Sequence, residues 1–332
     1  MMKPIPVVRA VHFSNYLQFL REIGAPVEQR LHQVKLPIQY VDQPDSYLPL
    51  PNVLAFLRLM GRSEGIDDLG LRALPHVKAS YLSADFLQDA SQAPTLLAAL
   101  QSFCRLSNHE TSYINFWIGI EESRIKIYNS FNADCDPWPL RYSEWLQNFT
   151  LVAIVRLFAG SQWLPTEMAF QSNVPLAKSA WEAFPNVRFL PGQKNSWIDV
   201  PRSLLSLPLT ARLSPPIPQA GRVELPLNFP DTLKLLMKPY LADGYPDIHL
   251  TAEMAGTSVR TLQRQLAKEG LSYSQLIQQV RLETSMGLLK DHNIKIMDIA
   301  LKVGYEDPSN FARAFRSFAG LSPQEYRQHQ AR

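Results

Sequence analysis

Residues 247–266 read DIHLTAEMAGTSVRTLQRQL, and residues 295–315 read KIMDIALKVGYEDPSNFARAF. The two stretches are one pattern written twice. In the first, Asp247 can cap a short helix carrying Ile248, Thr251 and Ala252, and after Gly256 a cap at Ser258 opens a second helix with Leu262 and Leu266 turned inward. In the second, Ile296, Ile299 and Ala300 take the matching places, Gly304 again follows the alanine by four residues, and Asp307 stands for Ser258. Phe311 and Phe315 then repeat the inward positions, after a turn one residue longer. Short helices that cross steeply need a small side chain where they touch, supplied by Ala252 and Ala300. The sharp turn between them needs a residue that tolerates positive φ, supplied by Gly256 and Gly304. This is a helix-turn-helix signature. Its recurrence, 48 residues apart at the glycines, makes the pattern specific where a single copy would be weak.

At about 100° per residue, the side opposite Leu262 and Leu266 carries Arg260, Arg264 and Ala267, with Gln263 on the flank. Opposite Phe311 and Phe315 lie Ser309, Arg313 and Arg316, with Ala312 on the flank. Arginine grips guanine O6 and N7 with two hydrogen bonds, and glutamine does the same with adenine. The helix N-termini at Ser258 and Asp307, together with Lys268 and Arg316, are expected at phosphates. Asp307 is itself an anion, so its carboxylate has to stay engaged as a cap. One basic helix face reads equally well as solvated surface; two in register point to double-stranded DNA.

Between the two copies, Ser272–Lys290 reads as one long helix with Tyr273, Leu276, Ile277, Val280, Leu288 and Leu289 as its apolar stripe. Such a helix holds two units at a fixed spacing, as entry into successive major grooves about 34 Å apart requires. Asp231 is placed to cap the stretch bearing Leu233, Leu235, Leu236 and Met237. Upstream come Pro208, Pro215, Pro216, Pro218, Pro226 and Pro230, a stiff linker by composition. The expected division is a domain over 1–206, a Pro-rich linker over 207–230 and an all-α domain over 231–332. Within the last, the helix-turn-helix units fall at about 247–269 and 295–318 and the linking helix at 272–290.

The first part reads as mixed α+β. Tyr16, Phe19, Leu20 and Ile23 share a helix face, Leu54, Leu57, Leu59 and Met60 another after the breakers Pro49 and Pro51, and Pro94 suits the first position of a helix over Thr95–Leu106. Tyr113–Ile118 and Arg124–Tyr128 are β-branched and aromatic and form an expected strand pair. A helix over Ser143–Ala159 and short strands at Glu167–Phe170, Val187–Leu190 and Ser196–Val200 follow.

Charge is placed unevenly: residues 1–231 carry 20 Lys+Arg against 20 Asp+Glu, and residues 232–332 carry 13 against 10. The basic excess therefore sits on the helical part, as suits a nucleic-acid-binding domain. Two cysteines, Cys104 and Cys135, make no disulfide framework and have no ligand-spaced partner, so neither metal nor cofactor is expected. The N-terminus lacks an apolar signal core and the Leu151–Ala159 run is short and interrupted by Arg156, so a membrane span is not expected and a cytoplasmic location is. Asn148-Phe149-Thr150 fits the glycosylation pattern, which has no meaning in that compartment.

In these motifs the chain resembles the AraC/XylS family of regulators. The matching residues run from Thr257 through Leu266, then Gly270-Leu271-Ser272-Tyr273, Arg281 and Leu288-Leu289. They continue with Ile299-Ala300, Val303-Gly304-Tyr305, Asn310–Phe315 and Gly320–Arg327. The resemblance implies base-reading positions at Arg260, Gln263 and Arg264 in the first unit and at Ser309, Ala312 and Arg313 in the second. The chain departs from the family at Ser285, usually alanine, and at Ala312, which is too short for hydrogen-bonded readout and can at best touch a thymine methyl. The first part is similar to the arabinose-binding-type sensor domain of one branch, through Ala90–Leu96, the strand pair, and Trp181-Glu182-Ala183-Phe184-Pro185. That likeness implies a small organic effector and self-association into a homodimer; the family implies RNA polymerase as a partner and activation as the outcome.

Tyr113, Trp117, Tyr128 and Arg141 are effector candidates, beside Phe116, Trp138, Tyr142, Trp145, His76 and Lys78; core packing accounts for the aromatic residues equally well. Two rival functions stand. One is a regulator without a ligand, controlled by abundance or protein contacts. Another is an enzyme with an appended DNA-binding domain, with Ser63 in Gly61-Arg62-Ser63-Glu64-Gly65 as nucleophile, although that elbow needs a strand before it. His109-Glu110 lacks the second histidine that a zinc site needs. No catalytic residue is expected.

Overall fold

The computed structural model describes residues 5–41, 43, 46–74, 84–131, 137–173, 175–210, 228–241 and 245–330. Contacts gather into two compact units, one within Pro6–Leu225 and one made chiefly of Pro226–Arg332. His76, Lys78 and Cys135, and most of the proline-rich linker (211–227), lie outside the described residues.

The Pro6–Leu225 unit combines helices with two sheets. Strands β1 (Val7–Arg9) and β2 (Tyr47–Pro49) pair antiparallel beside the helices Ala10–Glu22 and Leu50–Ser63. The main sheet holds β3 (Ile114–Ile120), β4 (Arg124–Phe131), β5 (Glu167–Ala169), β6 (Arg188–Leu190) and β7 (Ser196–Pro201), in the order β3-β4-β7-β5-β6. Only β5 and β6 run parallel. β4 alternates as its sequence demands: Ile125, Ile127 and Phe131 face the core, while Lys126 and Tyr128 face out.

A 23-residue helix, Pro137–Ala159, joins two apolar clusters. Tyr142 and Leu146 pack with Phe13, Leu17 and Phe56 of the helical half. Trp145, Leu151 and Val155 pack with Ile127, Phe170 and Ile198 of the sheet half. Phe13 meets Phe56 edge-on at 5.1 Å, the geometry aromatic quadrupoles favour. Gly70 lets its short helix reach the main chain of Tyr142, where any Cβ would collide with backbone atoms.

Several local expectations are corrected. The helix expected at Ser143 begins at Pro137. Pro94 is not a helical position: the helix is Leu96–Leu106 and Thr95 caps it, accepting from the Ala98 amide at 3.3 Å. Pro51 is no breaker; it occupies the first turn of Leu50–Ser63, where its missing N–H costs nothing. Asp231 is not the cap either, since Asn228 accepts from the Asp231 amide at 2.8 Å and the helix is Phe229–Met237. The strands β1 and β2, three residues each, give no periodicity to read. Leu207 and Leu209 pack on the sheet-side core, and the Leu96 amide donates to the Leu207 carbonyl at 2.9 Å, so the start of the expected linker is part of this unit. Asn148 is fully buried, donates to the Ala169 carbonyl and accepts from Asn129, both at 2.9 Å, so its role is to key the long helix to the sheet.

The Pro226–Arg332 unit is helical throughout its described residues: Phe229–Met237, Ile248–Met254, Val259–Lys268, Tyr273–Leu289, Ile296–Lys302, Pro308–Ala319 and Pro323–Gln330. The Tyr273–Leu289 helix is its spine. Ser272 opens it with a capping box, its hydroxyl accepting from the Gln275 amide while the Gln275 side chain accepts from the Ser272 amide. Its N-terminal half buries Leu276, Ile277 and Val280, and its C-terminal half packs Leu282 and Leu289 against Ile299, Phe311 and Phe315.

Candidate nucleic-acid interface

Both helix pairs share the same turn and a side-chain cap on their second helix. Asp247 accepts from the Leu250 amide at 2.7 Å and starts Ile248–Met254. At its end Gly256 adopts φ 59°, the Gly256 amide donates to Glu253 and the Thr257 amide to Ala252, each at 2.9 Å. Ser258 then caps Val259–Lys268. In the second pair Gly304 adopts φ 80°, the Gly304 amide donates to Leu301 and the Tyr305 amide to Ala300, again at 2.9 Å. Asp307 caps Pro308–Ala319, its carboxylate accepting from the Ser309 amide at 2.7 Å, so the charge is engaged as its position demanded. The pairs differ at their first helices: Ile296–Lys302 has Lys295 at its cap and no side-chain capping bond.

The turns orient the outer faces. Leu262 and Leu266 are fully buried, as are Phe311 and Phe315. Arg260, Gln263, Arg264 and Lys268 are exposed on the first outer helix, and Ser309, Arg313 and Arg316 on the second. Ala312 is half-buried. Ser258 and Asp307 are exposed at the two helix starts. Arg313 donates to Asn310 on its own helix, which holds its guanidinium along the exposed face.

The structure adds a residue that spacing alone does not single out. Arg281 of the spine donates to the Gly304 carbonyl at 3.1 Å, with its guanidinium 4.2 Å from the Tyr245 ring centroid and 4.8 Å from that of Tyr305. It clamps the second turn onto the spine. Lys234 likewise reaches Glu283 at 2.9 Å and Asp231 at 3.2 Å. Burial opposes the Lys234 charge, but its bonds to Glu283 and Asp231 outweigh that and raise its pKa. Tyr273 donates to the Pro246 carbonyl and lies 2.8 Å from the Thr251 hydroxyl, pinning the first pair.

The candidates in the other unit scatter. Trp117 stacks on Tyr128 at 5.3 Å on the outer face of the sheet, and Tyr128 meets Trp197 edge-on. Tyr113 sits half-buried beside the helical core. Arg141 donates to the Asp67 carboxylate at 2.9 Å, lies over the Tyr142 ring and borders a cavity of about 30 Å³. Tyr142 and Trp145 border that smaller cavity with Arg141. A larger cavity, about 90 Å³, lies between the helical half and the sheet; Phe116 lines it, whereas Tyr113, Trp117, Tyr128 and Arg141 do not.

Ser63 ends a helix, with no strand before it, and donates to Glu64 at 2.9 Å, so the nucleophile-elbow geometry is missing. Glu110 binds Arg9 and His12, each at 2.9 Å. Burial pushes the Cys104 thiol up to about 11, leaving it protonated and weakly nucleophilic at neutral pH. Among the described residues no helix is long and apolar enough to cross a membrane.

A family model described as a helix-turn-helix domain matches residues 251–329. A second, the N-terminal arabinose-binding domain of AraC transcription regulators, matches residues 24–209, more than half of the chain. The chain is 23% identical over 331 residues to the HTH-type transcriptional regulator VirS of Mycobacterium tuberculosis, covering 97% of this chain and 96% of that protein. It is 37% identical over 94 residues to the ornithine utilization regulator of Pseudomonas aeruginosa, covering 28% of this chain and only 27% of that protein's length. Among solved structures, the transcriptional regulator CdpR of Pseudomonas aeruginosa aligns over 91% of this chain and 96% of its own, with 20% identity and a TM-score of 0.40.

Proposed function

The chain belongs to the AraC family of transcription regulators, and on that premise we propose that it reads promoter DNA through two helix-turn-helix units, 247–269 and 295–318. The observation that carries this is the pair of exposed, arginine-bearing helices, each set by the same glycine turn with the same two backbone bonds. The spine between them has 17 residues, about 25 Å at the usual rise of about 1.5 Å per residue. That length suits two units addressing successive major grooves of one DNA face.

Arg260, Gln263 and Arg264 read bases in the first groove; Ser309, Ala312 and Arg313 do so in the second. Ser258, Lys268 and Arg316 take phosphates, with Asp307 held as a cap. The first helix is the stronger reader, because Ala312 offers no hydrogen bond. The domain ahead of the linker senses a small organic effector and pairs two copies of the chain, and the regulator activates by contacting RNA polymerase in the cytoplasm. The match to the arabinose-binding-type domain supports the sensing role.

Footprinting of genomic fragments captured by the full-length protein tests the DNA reading. Two protected stretches one helical turn apart, with affinity falling steeply as salt rises, are expected. A single protected stretch would refute the two-unit mode. Capture that depends on a partner protein and on no small molecule would replace effector control with control by protein contacts.

A further inference from the structure

We infer that the cavity of about 90 Å³ in the Pro6–Leu225 unit binds a small, uncharged, mainly apolar molecule whose polar end both donates and accepts a hydrogen bond, and that Gln147 is its anchor. Its biological meaning rests on the effector-sensing role proposed above.

The cavity lies where three clusters meet. Phe13 and Leu54 come from the helical half, Phe86 and Phe103 from the sheet-side core, and Ile114 and Phe131 from the paired strands β3 and β4. From the long helix Pro137–Ala159, Ser143, Leu146, Gln147 and Thr150 face it, the spacing of a single helix face.

Gln147 is 5% exposed, and neither its amide nitrogen nor its amide oxygen has a hydrogen-bond partner. The neighbouring hydroxyls have spent their protons on backbone carbonyls. Tyr16 donates to Tyr142 at 2.9 Å, Ser107 to Cys104 at 3.0 Å and Thr111 to Val7 at 3.0 Å. Ser143 donates to Leu140 at 3.1 Å and Thr150 to Leu146 at 2.8 Å. Gln147, which lines this apolar space, thus has a buried amide donor and acceptor with no partner, and leaving such a group unpaired in a protein interior is costly.

The charge in the lining selects a neutral guest. Glu110 and His12 both line the cavity and are paired at 2.9 Å, with Arg9 on the other carboxylate oxygen, so an entering anion meets a carboxylate whose cations are already engaged. A carboxamide offers one acceptor and two donors; its complement is another amide, an un-ionised acid or an alcohol. Since roughly 150 Å³ takes the six heavy atoms of benzene, about 90 Å³ suits a guest of roughly four to five heavy atoms. Short aliphatic amides fit that size and polarity. A guest here touches both halves of the unit at once, so binding would hold them together.

Propanamide is the probe, with propanoate as its charged counterpart, in thermal unfolding of the full-length protein. Propanamide at about ten times its dissociation constant should raise the melting temperature of this unit by roughly 3–6 °C, and propanoate should bind at least tenfold more weakly. Gln147→Leu should melt no lower than the parent and lose at least tenfold in propanamide affinity. Leu54→Phe, which fills the cavity, should abolish the response by a second route. Propanamide affinity within threefold of the parent in Gln147→Leu, equal binding of propanoate, or no response of the parent would each overturn the site. Capture of genomic DNA fragments with and without propanamide separates the two layers. Binding that leaves capture unchanged upholds the site and removes its link to regulation. Capture that responds to a metabolite extract while propanamide does not bind sinks the site and leaves effector sensing standing.

Discussion

Gly304→Ala should loosen the second helix pair selectively. Gly304 sits at φ 80°, and an added Cβ there meets the Arg281 guanidinium and the Leu241 carbonyl oxygen, each at 3.3 Å. Holding alanine in the left-handed region costs about 1–2 kcal/mol. The crowding falls on the guanidinium that donates to the Gly304 carbonyl at 3.1 Å, and weakening that bond adds about 1 kcal/mol. The sum, about 2–3 kcal/mol, corresponds to a rise of roughly 30- to 150-fold in the opening equilibrium and an equal loss of protection. Amide hydrogen exchange of the full-length protein reads this directly, through protection of Ile296–Lys302 and Pro308–Ala319. DNA affinity should fall in step, since those helices set the second arginine face. Protection within threefold of the parent would show that Gly304 is not the strained pivot of that turn.

Arg264→Ala and Arg313→Ala should each weaken specific DNA binding by about 1–3 kcal/mol, measured by fluorescence anisotropy on captured fragments; unchanged affinity would mean that their face looks away from DNA. Lys268→Ala should weaken binding to all sequences alike and reduce the slope of log affinity against log salt by about 1, whereas an unchanged slope removes it from the phosphate contacts. Glu144 is buried, accepts from the Ser196 hydroxyl at 2.7 Å and from the Ser172 amide, and burial nonetheless raises its pKa above the usual 4.5. The folded state therefore favours the protonated form, and the stability this contributes is present below pH 4.5 and is lost as pH rises through the folded value. The urea midpoint of the parent relative to Glu144→Gln should accordingly fall with rising pH, and a rising difference would contradict the sign.

The helical domain was legible because its signals are local. A cap, an alanine at a crossing, a glycine turn and a buried pair four residues apart lie within about twenty residues, and the second copy checks the first. Asp307 shows this well: its charge next to an expected DNA surface dictated a cap, and it accepts from Ser309. Errors near it came from competition between adjacent capping residues. Asn228 and Asp231 both suit a helix start, and Asn228 holds the place, leaving Asp231 in the first turn opposite Lys234. Likewise Thr95 displaced Pro94 because a threonine hydroxyl satisfies an open amide and proline has none to satisfy.

The other unit was legible as elements and not as a site. Trp117 and Tyr128 look like pocket residues by type, yet the pleat puts both on the outer face, where they stack. Gln147 gave no local sign, since a glutamine in a helix is unremarkable until its neighbours are known to be apolar.

By itself the sequence determined the duplicated helix pairs, their turns and the outward arginines, because caps, left-handed glycines and helical periodicity are set by residues a few positions apart. Only the tertiary structure decided that Arg281 clamps the second turn, that Asn148 and Glu144 lock the long helix to the sheet, and that Gln147 faces an apolar cavity with both amide atoms unpaired. Those relations join residues tens of positions apart in the chain, and their energies come from burial and from which partner remains in reach once water is excluded.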